Sequence, residues 1–289
     1  MGKRSLLAAL FCLCFSLALM AADTKPAPAG LSAAQIVEKN IAARGGSQAW
    51  RAVQTLSLSG KMDAGSGSND AAQRIMQGQR GRHGGKMELM DSREIGSKAE
   101  PAKQVQLPFV MEMKRPGKSR LEIEFAGKTA VQVFDGTNGW KVRPYLNRND
   151  VEAFTPDEMK SASQSPELDG MLIDYAAKGS KVELEGTEKV EGHDAYKLKV
   201  TDKAGNVRHV WIDAQSFLDV KVEGAPKRMD GKTHNVYLYQ RDFRAVQGIQ
   251  IPYLTETAVD GYPGTHKLVI EKVEVNPKLD DSLFAKPKA

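Results

Sequence analysis

Cysteine is one of the scarcest residues in this chain. The sequence has two, Cys12 and Cys14, and both lie inside an apolar stretch at residues 6–20. That stretch has the position of an export signal, so its removal would leave a chain without cysteine. We therefore expect no disulfide, no thiolate metal ligand and no thiol nucleophile in the mature protein.

The amino-terminal stretch predicts export. Lys3 and Arg4 precede the apolar stretch and two alanines follow it, which is the order of a cleaved secretory signal. We assign residues 1–22 to the signal, residues 23–30, rich in proline and alanine, to a disordered linker, and residues 31–289 to a single domain. The expected location is the periplasm, with a soluble chain after cleavage.

The sequence also has a small net charge and no recognised catalytic motif. The net charge is +5 and falls further once the basic signal is removed, so the chain lacks the field of a nucleic-acid-binding protein. No two of the five histidines have metal-ligand spacing, and neither an EF-hand loop nor a nucleophile elbow is present. We expect no cofactor, no metal and no enzymatic activity, although carboxylates from distant strands could still assemble an acid–base pair.

One basic cluster has two interpretations. It is either a solvated strand face or a contact with anionic membrane head groups, and it comprises Arg74, Arg80, Arg82, His83 and Lys86.

Alternating apolar and polar residues dominate the second half of the chain. Residues 195–200 and 218–223 place aliphatic or aromatic side chains on one face and charged ones on the other, as in half-buried strands. About ten or eleven antiparallel strands follow from such patterns, and a sheet of that size curls. The predicted fold is mainly β, an incomplete β-barrel with helices covering its concave face.

Two amphipathic segments are the candidates for that cover. A capping box of Ser32 and Gln35 begins a first helix, whose apolar stripe includes Ile36, Val37 and Ile41. A second helix is predicted at residues 165–179, with an apolar face formed by Leu168, Met171, Leu172 and Tyr175. This second helix is either half of an ordinary core or a lid over a cavity, and the pattern does not separate the two.

Strand faces in the middle of the chain supply further candidates for a core or a cavity lining. They form two pairs, Val131 with Val133 and Trp140 with Val142. Each pair shares one face of its strand, opposite a polar residue.

These features together resemble the LolA-like outer-membrane lipoprotein-sorting superfamily. The resemblance rests on turns and apolar positions across most of the chain: Gly45-Gly46 after the first helix, the turn at residues 135–140, the segment 168–175 before Gly179, residues 188–196, residues 211–213, residues 242–252, and Phe284 near Pro287.

The resemblance implies a periplasmic, non-catalytic carrier whose apolar cavity accepts the acyl chains of a lipid or lipoprotein. It also implies an arginine that holds the cover shut, for which Arg44 and Arg51 are both candidates. The alternative is an envelope sensor or interaction module with a membrane-protein partner, or an accessory factor for lipid export.

Overall fold

The computed structural model describes residues 30–63, 106–144, 148–165, 167–229, 231–262 and 264–288. The predicted export signal, the hairpin at residues 74–92 and the basic cluster within it lie outside these residues.

The described chain contains three short α-helices. They are α1 (Ala33–Ala43), α2 (Ser47–Ala52) and α3 (Pro156–Ser163). The predicted capping box of Ser32 and Gln35 is confirmed, and Thr155 forms an equivalent box with Glu158 at α3. A 3-10 helix (Asp281–Phe284) lies near the carboxyl end.

Fifteen strands make up most of the rest. Their bounds are β1 (Thr55–Asp63), β2 (Gln106–Lys114), β3 (Lys118–Phe125), β4 (Lys128–Phe134), β5 (Gly139–Arg143), β6 (Arg148–Ala153), β7 (Lys181–Val190), β8 (His193–Thr201), β9 (Val207–Asp213), β10 (Asp219–Glu223), β11 (Lys227–Met229), β12 (Lys232–His234), β13 (Val236–Val246), β14 (Ile249–Val259) and β15 (Thr265–Val275).

Thirteen of these strands form a single antiparallel sheet in the order β6-β5-β4-β3-β2-β1-β15-β14-β13-β10-β9-β8-β7. Its edges, β6 and β7, are not hydrogen-bonded to each other, so the sheet is not closed into a barrel. The mainly β, antiparallel prediction is confirmed. The strand count was underestimated because β6 and the separate β11–β12 hairpin are short and polar, which gives no apolar alternation to detect.

The pairing register defines two faces of the sheet, since directly paired residues in antiparallel strands point the same way. Leu58 pairs with Met111, and Met111 pairs with Leu121, so these three share what we call the inner face. In the other half of the sheet, Leu198 pairs with Val210 on the same inner face. The opposite side is the outer face.

The main core lies between the inner face and the helices. Trp50 of α2 packs there with Leu56, Phe109, Ile249 and Ile270. Gly45, the second residue after α1, makes this packing possible, because a Cβ at that position would lie 2.0 Å from the carbonyl oxygen of Gly248. The helix pair is thereby held tightly against the β13–β14 turn.

The segment at residues 167–179, which we call the strap, differs from its prediction. It is a chain of turns rather than a helix, so the prediction of a helix at residues 165–179 is wrong. Gly170 and Asp174 have φ angles of 78° and 54°, and left-handed residues interrupt the helical ladder. The apolar spacing was real, but it recorded which side chains are buried and not a continuous helix.

Paired leucines on β7 and β8 test how far the core extends toward the edge of the sheet. Leu198 is fully buried, whereas its direct cross-strand partner Leu184 is 38% exposed at the edge of the sheet. We expect Leu198→Ala to lower the free energy of unfolding by about 2–5 kcal/mol, because it leaves a cavity. Leu184→Ala is the matched control and should cost about 1 kcal/mol or less. Urea denaturation measures both, and equal losses would contradict a core that ends before the edge strand β7.

Candidate functional site

The strap covers the inner face through aliphatic side chains. Ile173 is fully buried in the main core and Leu168 packs against the same cluster. Leu172 is also buried, at 2% exposure. These contacts make the strap the cover of the core at this point of the sheet.

Asp169 is the electrostatic centre of the strap. It is 3% exposed, and its carboxylate accepts a hydrogen bond from Lys178 at 2.7 Å and lies 3.1 Å from the guanidinium of Arg115. Arg115 also pairs with Glu167 at 2.5 Å. A buried carboxylate needs such partners, because burial without them strongly disfavours its charged form. The strap is therefore tied by ionic contacts to Arg115, the residue directly after β2.

Arg44, directly after α1, holds the same strap through a contact between its side chain and the strap's backbone. Its Nη1 donates to the carbonyl oxygen of Asp169 at 2.9 Å, and Nε lies 3.5 Å from Asp219 on β10. The guanidinium also lies over the Trp50 ring, 4.7 Å from its centroid. A Cβ at Gly170 would come within 3.3 Å of Nη1, so the glycine leaves room for this approach.

A third arginine contacts the strap at the surface. Arg51 of α2 donates to both carboxylate oxygens of Asp174, at 2.7 and 2.5 Å. The hydrogen bonds from Arg51 lower the pKa of Asp174 from its ordinary value. Because the Arg51 side chain is 60% exposed, this pair contributes little to stability.

Methionines occupy the inner face near the strap. Met62, Met111 and Met113 are all partly buried and pack against the main core, together with Leu121 and Ile123. Methionine side chains are flexible and polarizable, so they adapt to different apolar partners. Sequence reasoning did not select them, although the period-two spacing of Met111 and Met113 along β2 was visible.

A cleft opens beside the strap. Its volume is about 760 Å³, and it lies between the end of α3, the strap and the β8–β9 hairpin. The apolar part of its lining includes Met171 and Val200, and the basic part includes Lys178, Lys203 and Arg208.

Comparison with solved structures identifies the architecture. A LolA superfamily protein from Nitrosomonas europaea superposes with a TM-score of 0.50 at 12% identity, over 89% of this chain and 98% of that one. A DUF1329 family protein from Desulfovibrio piger gives 0.53 at 13% identity, over 88% and 97%. The fold is LolA-like. No family model and no curated protein sequence matches the chain.

The LolA-like fold brings together the candidates on the helices and the strap. Ile36 and Val37 are buried on α1, and Ile41 packs against the main core. Of the four strap candidates, Leu172 is buried, whereas Leu168, Met171 and Tyr175 are half-buried. Their role in ligand binding stays a prediction. The sequence missed the deepest strap residue, Ile173, because it lay outside the helical spacing.

The other four candidates are not brought to the strap. Val133 pairs with Arg120 and Trp140, while the neighbouring Gln132 pairs with Leu121 of the inner face. Val131, Val133, Trp140 and Val142 therefore point to the outer face. Val133 is nevertheless only 1% exposed. On that face Arg120 donates to the carbonyl of Leu283, which places the 3-10 helix there.

Neither a cluster of metal-ligating residues nor a membrane-spanning helix is found among the described residues. No group of three or more histidine, cysteine or acidic residues there could hold a metal ion, and no helix there is long and apolar enough to span a membrane. His209 lies in a hydrogen-bonded pair with Glu223 at 2.5 Å, as expected for a satisfied residue of the sheet.

Asp169→Asn tests whether ionic contacts close the strap. The substitution keeps the shape but removes the charge that faces Arg115 and Lys178, so we expect a loss of about 1.5–3 kcal/mol in unfolding free energy. Hydrogen exchange of the strap amides should accelerate more than that of β1. Asp174→Asn is the matched control, with a loss below about 1 kcal/mol. Unchanged strap protection in Asp169→Asn would refute the ionic closure.

Proposed function

We propose that this protein is a non-catalytic carrier of the cell envelope, which binds acyl chains of a lipid or lipoprotein on its inner face. The observation that carries the proposal is the strap, an irregular segment that covers a methionine-lined apolar surface and is tied down by ions. The likeness to a LolA superfamily protein supports it at the level of fold.

The inner face offers the chemistry that an acyl chain needs. Met111 lies between Leu58 and Leu121 in one cross-strand row, and Phe109 lies between Gly60 and Ile123 in the next. None of these residues is charged, and the first row reaches a polar and then a charged residue only beyond Leu121, at Gln132 and Lys141. An alkyl chain lying across the apolar part of the rows would be buried by the hydrophobic effect.

The strap suits the role of a displaceable cover because both apolar and ionic contacts attach it. Leu172 and Ile173 contribute burial of about 1.5–3 kcal/mol each. An acyl chain with about six buried methylenes recovers a similar amount at about 0.8 kcal/mol per methylene. Burial of the strap side chains and burial of the acyl chain are thus close in free energy. The ionic contacts around Asp169 decide how firmly the closed state is held.

Binding of an uncharged apolar fluorophore, N-phenylnaphthylamine, tests this proposal. We expect the purified protein to bind it saturably, and Asp169→Asn to bind it about tenfold more tightly, because less free energy is spent in opening the strap. Met111→Trp should weaken binding about tenfold, because the larger ring occupies the inner face.

Two controls accompany these variants. Val110→Trp adds the same ring one residue away on the outer face, where Val110 is 37% exposed, and Asp174→Asn removes an exposed charge from the strap. Both should bind the fluorophore like the unmodified protein. Absence of saturable binding in the unmodified protein and in Asp169→Asn would rule out the carrier.

A further inference from the structure

Arg208 occupies an unexpected position on β9. Alternation along the strand places Val207 on the outer face, where it is 46% exposed, and Arg208 on the inner face, where it is 9% exposed. Arg208 pairs across the sheet with Val200, which is buried, and its neighbour on the same face is Val210. The usual order, apolar inside and charged outside, is therefore inverted at the end of the strand that borders the cleft.

Arg208 also differs from the other buried cations of the described chain. Lys141 lies 2.5 Å from both carboxylate oxygens of Glu158, and Arg44 lies 3.5 Å from Asp219. Among the described residues, Arg208 has no carboxylate within ion-pair distance. Burial lowers its pKa from the ordinary value, against the opposing field of Asp202 and Glu223. Its charge is thus the least compensated of the three.

Arg208 makes one hydrogen bond to the described residues, and that bond leaves most of its donor capacity unused. Nη2 donates to the carbonyl oxygen of Gln164 at 2.8 Å, at the C-cap of α3. A helix terminus carries only a fraction of a unit charge. A guanidinium presents several N–H groups in a planar fork that matches a carboxylate or phosphate. The carbonyl oxygen of Gln164 alone therefore neither balances the charge of Arg208 nor uses the remaining N–H groups of its guanidinium.

The other charged groups around the cleft leave it positive. Lys178 and Lys203 line it with Arg208. The carboxylates there are occupied, because Asp202 accepts hydrogen bonds from the amides of its own loop and Glu167 pairs with Arg115. An incoming anion would meet Arg208 and Lys203, which have no carboxylate within ion-pair distance among the described residues, whereas Lys178 already pairs with Asp169 and Asp202 keeps its negative charge.

We propose that this cleft is an anion subsite, in which Arg208 binds the carboxylate or phosphate head group of an amphiphile. Met171 and Val200 supply an apolar wall beside the cations, so the adjoining part of the alkyl chain would lie along them. This assignment rests on the proposed carrier function and narrows it to anionic amphiphiles. A volume of about 760 Å³ lies within the range of about 300–1,000 Å³ that small-molecule sites occupy.

Displacement of N-phenylnaphthylamine by dodecyl phosphate, laurate and uncharged dodecanol, each below its micellar concentration, tests the subsite. We expect the unmodified protein to prefer both anions over dodecanol by about tenfold or more. Arg208→Gln should abolish that preference while leaving dodecanol affinity unchanged, and Arg208→Lys should keep part of it. Arg228→Gln, which removes an exposed charge from β11, should leave the preference unchanged.

The results separate this inference from the carrier proposal. Equal affinity for the anions and dodecanol in the unmodified protein, or equal losses in Arg208→Gln and Arg228→Gln, would overturn the subsite and leave acyl-chain binding intact. Calorimetry with inorganic phosphate alone separates a free anion from a head group. Phosphate binding that depends on Arg208, without displacement of the fluorophore by any amphiphile, would overturn both the head-group assignment and the carrier. Circular dichroism shows whether Arg208→Gln folds. If it does not, Arg208→Lys tests the subsite in its place.

Discussion

The sheet has an apolar inner face that no second sheet covers in the described chain, and this constraint governs the arrangement of the other elements. Leucine, methionine and isoleucine side chains line that face, and exposure of such a surface to water is costly. Helix α2 covers part of it with Trp50, and the strap covers an adjoining part with Leu168 and Ile173. The ionic contacts of Asp169 with Arg115 and Lys178 lie where this irregular segment meets the apolar surface.

Charge is distributed over this inner side in a consistent way. Lys141 and Arg44 are buried with carboxylates beside them, and Asp169 is buried between two cations. Such pairs fix an element in position without adding much net stability, because desolvation offsets the attraction. Arg208 has no matching carboxylate among the described residues, and an unmatched buried charge is costly unless a ligand or solvent meets it. The same principle thus accounts for the closed strap and for the proposed anion subsite.

The LolA-like fold and the site geometry contribute different parts of the functional argument. The structural neighbours share only 12% and 13% identity with this chain, so they establish the architecture and not the ligand. The proposal of a carrier comes from the strap and the methionines, and the preference for an anion comes from Arg208 and its surroundings. Neither the fold nor the inner face alone would distinguish an anionic amphiphile from a neutral one.

Local patterns determined much of the secondary structure. The capping box at Ser32 and the clean alternation at residues 195–200 depend on neighbours a few positions apart, and both elements were predicted correctly. The strap was misread because apolar spacing records burial, whereas left-handed residues at Gly170 and Asp174 interrupt the helix and the segment packs on strands from distant parts of the chain. The same limit applies to Val133, which is buried on the outer face, because only the folded sheet shows which face each strand residue takes. Arg208 could have been noticed from the inverted order of Val207 and Arg208. Only the tertiary structure shows that its charge is buried without a carboxylate, because pairing across strands decides which charges meet.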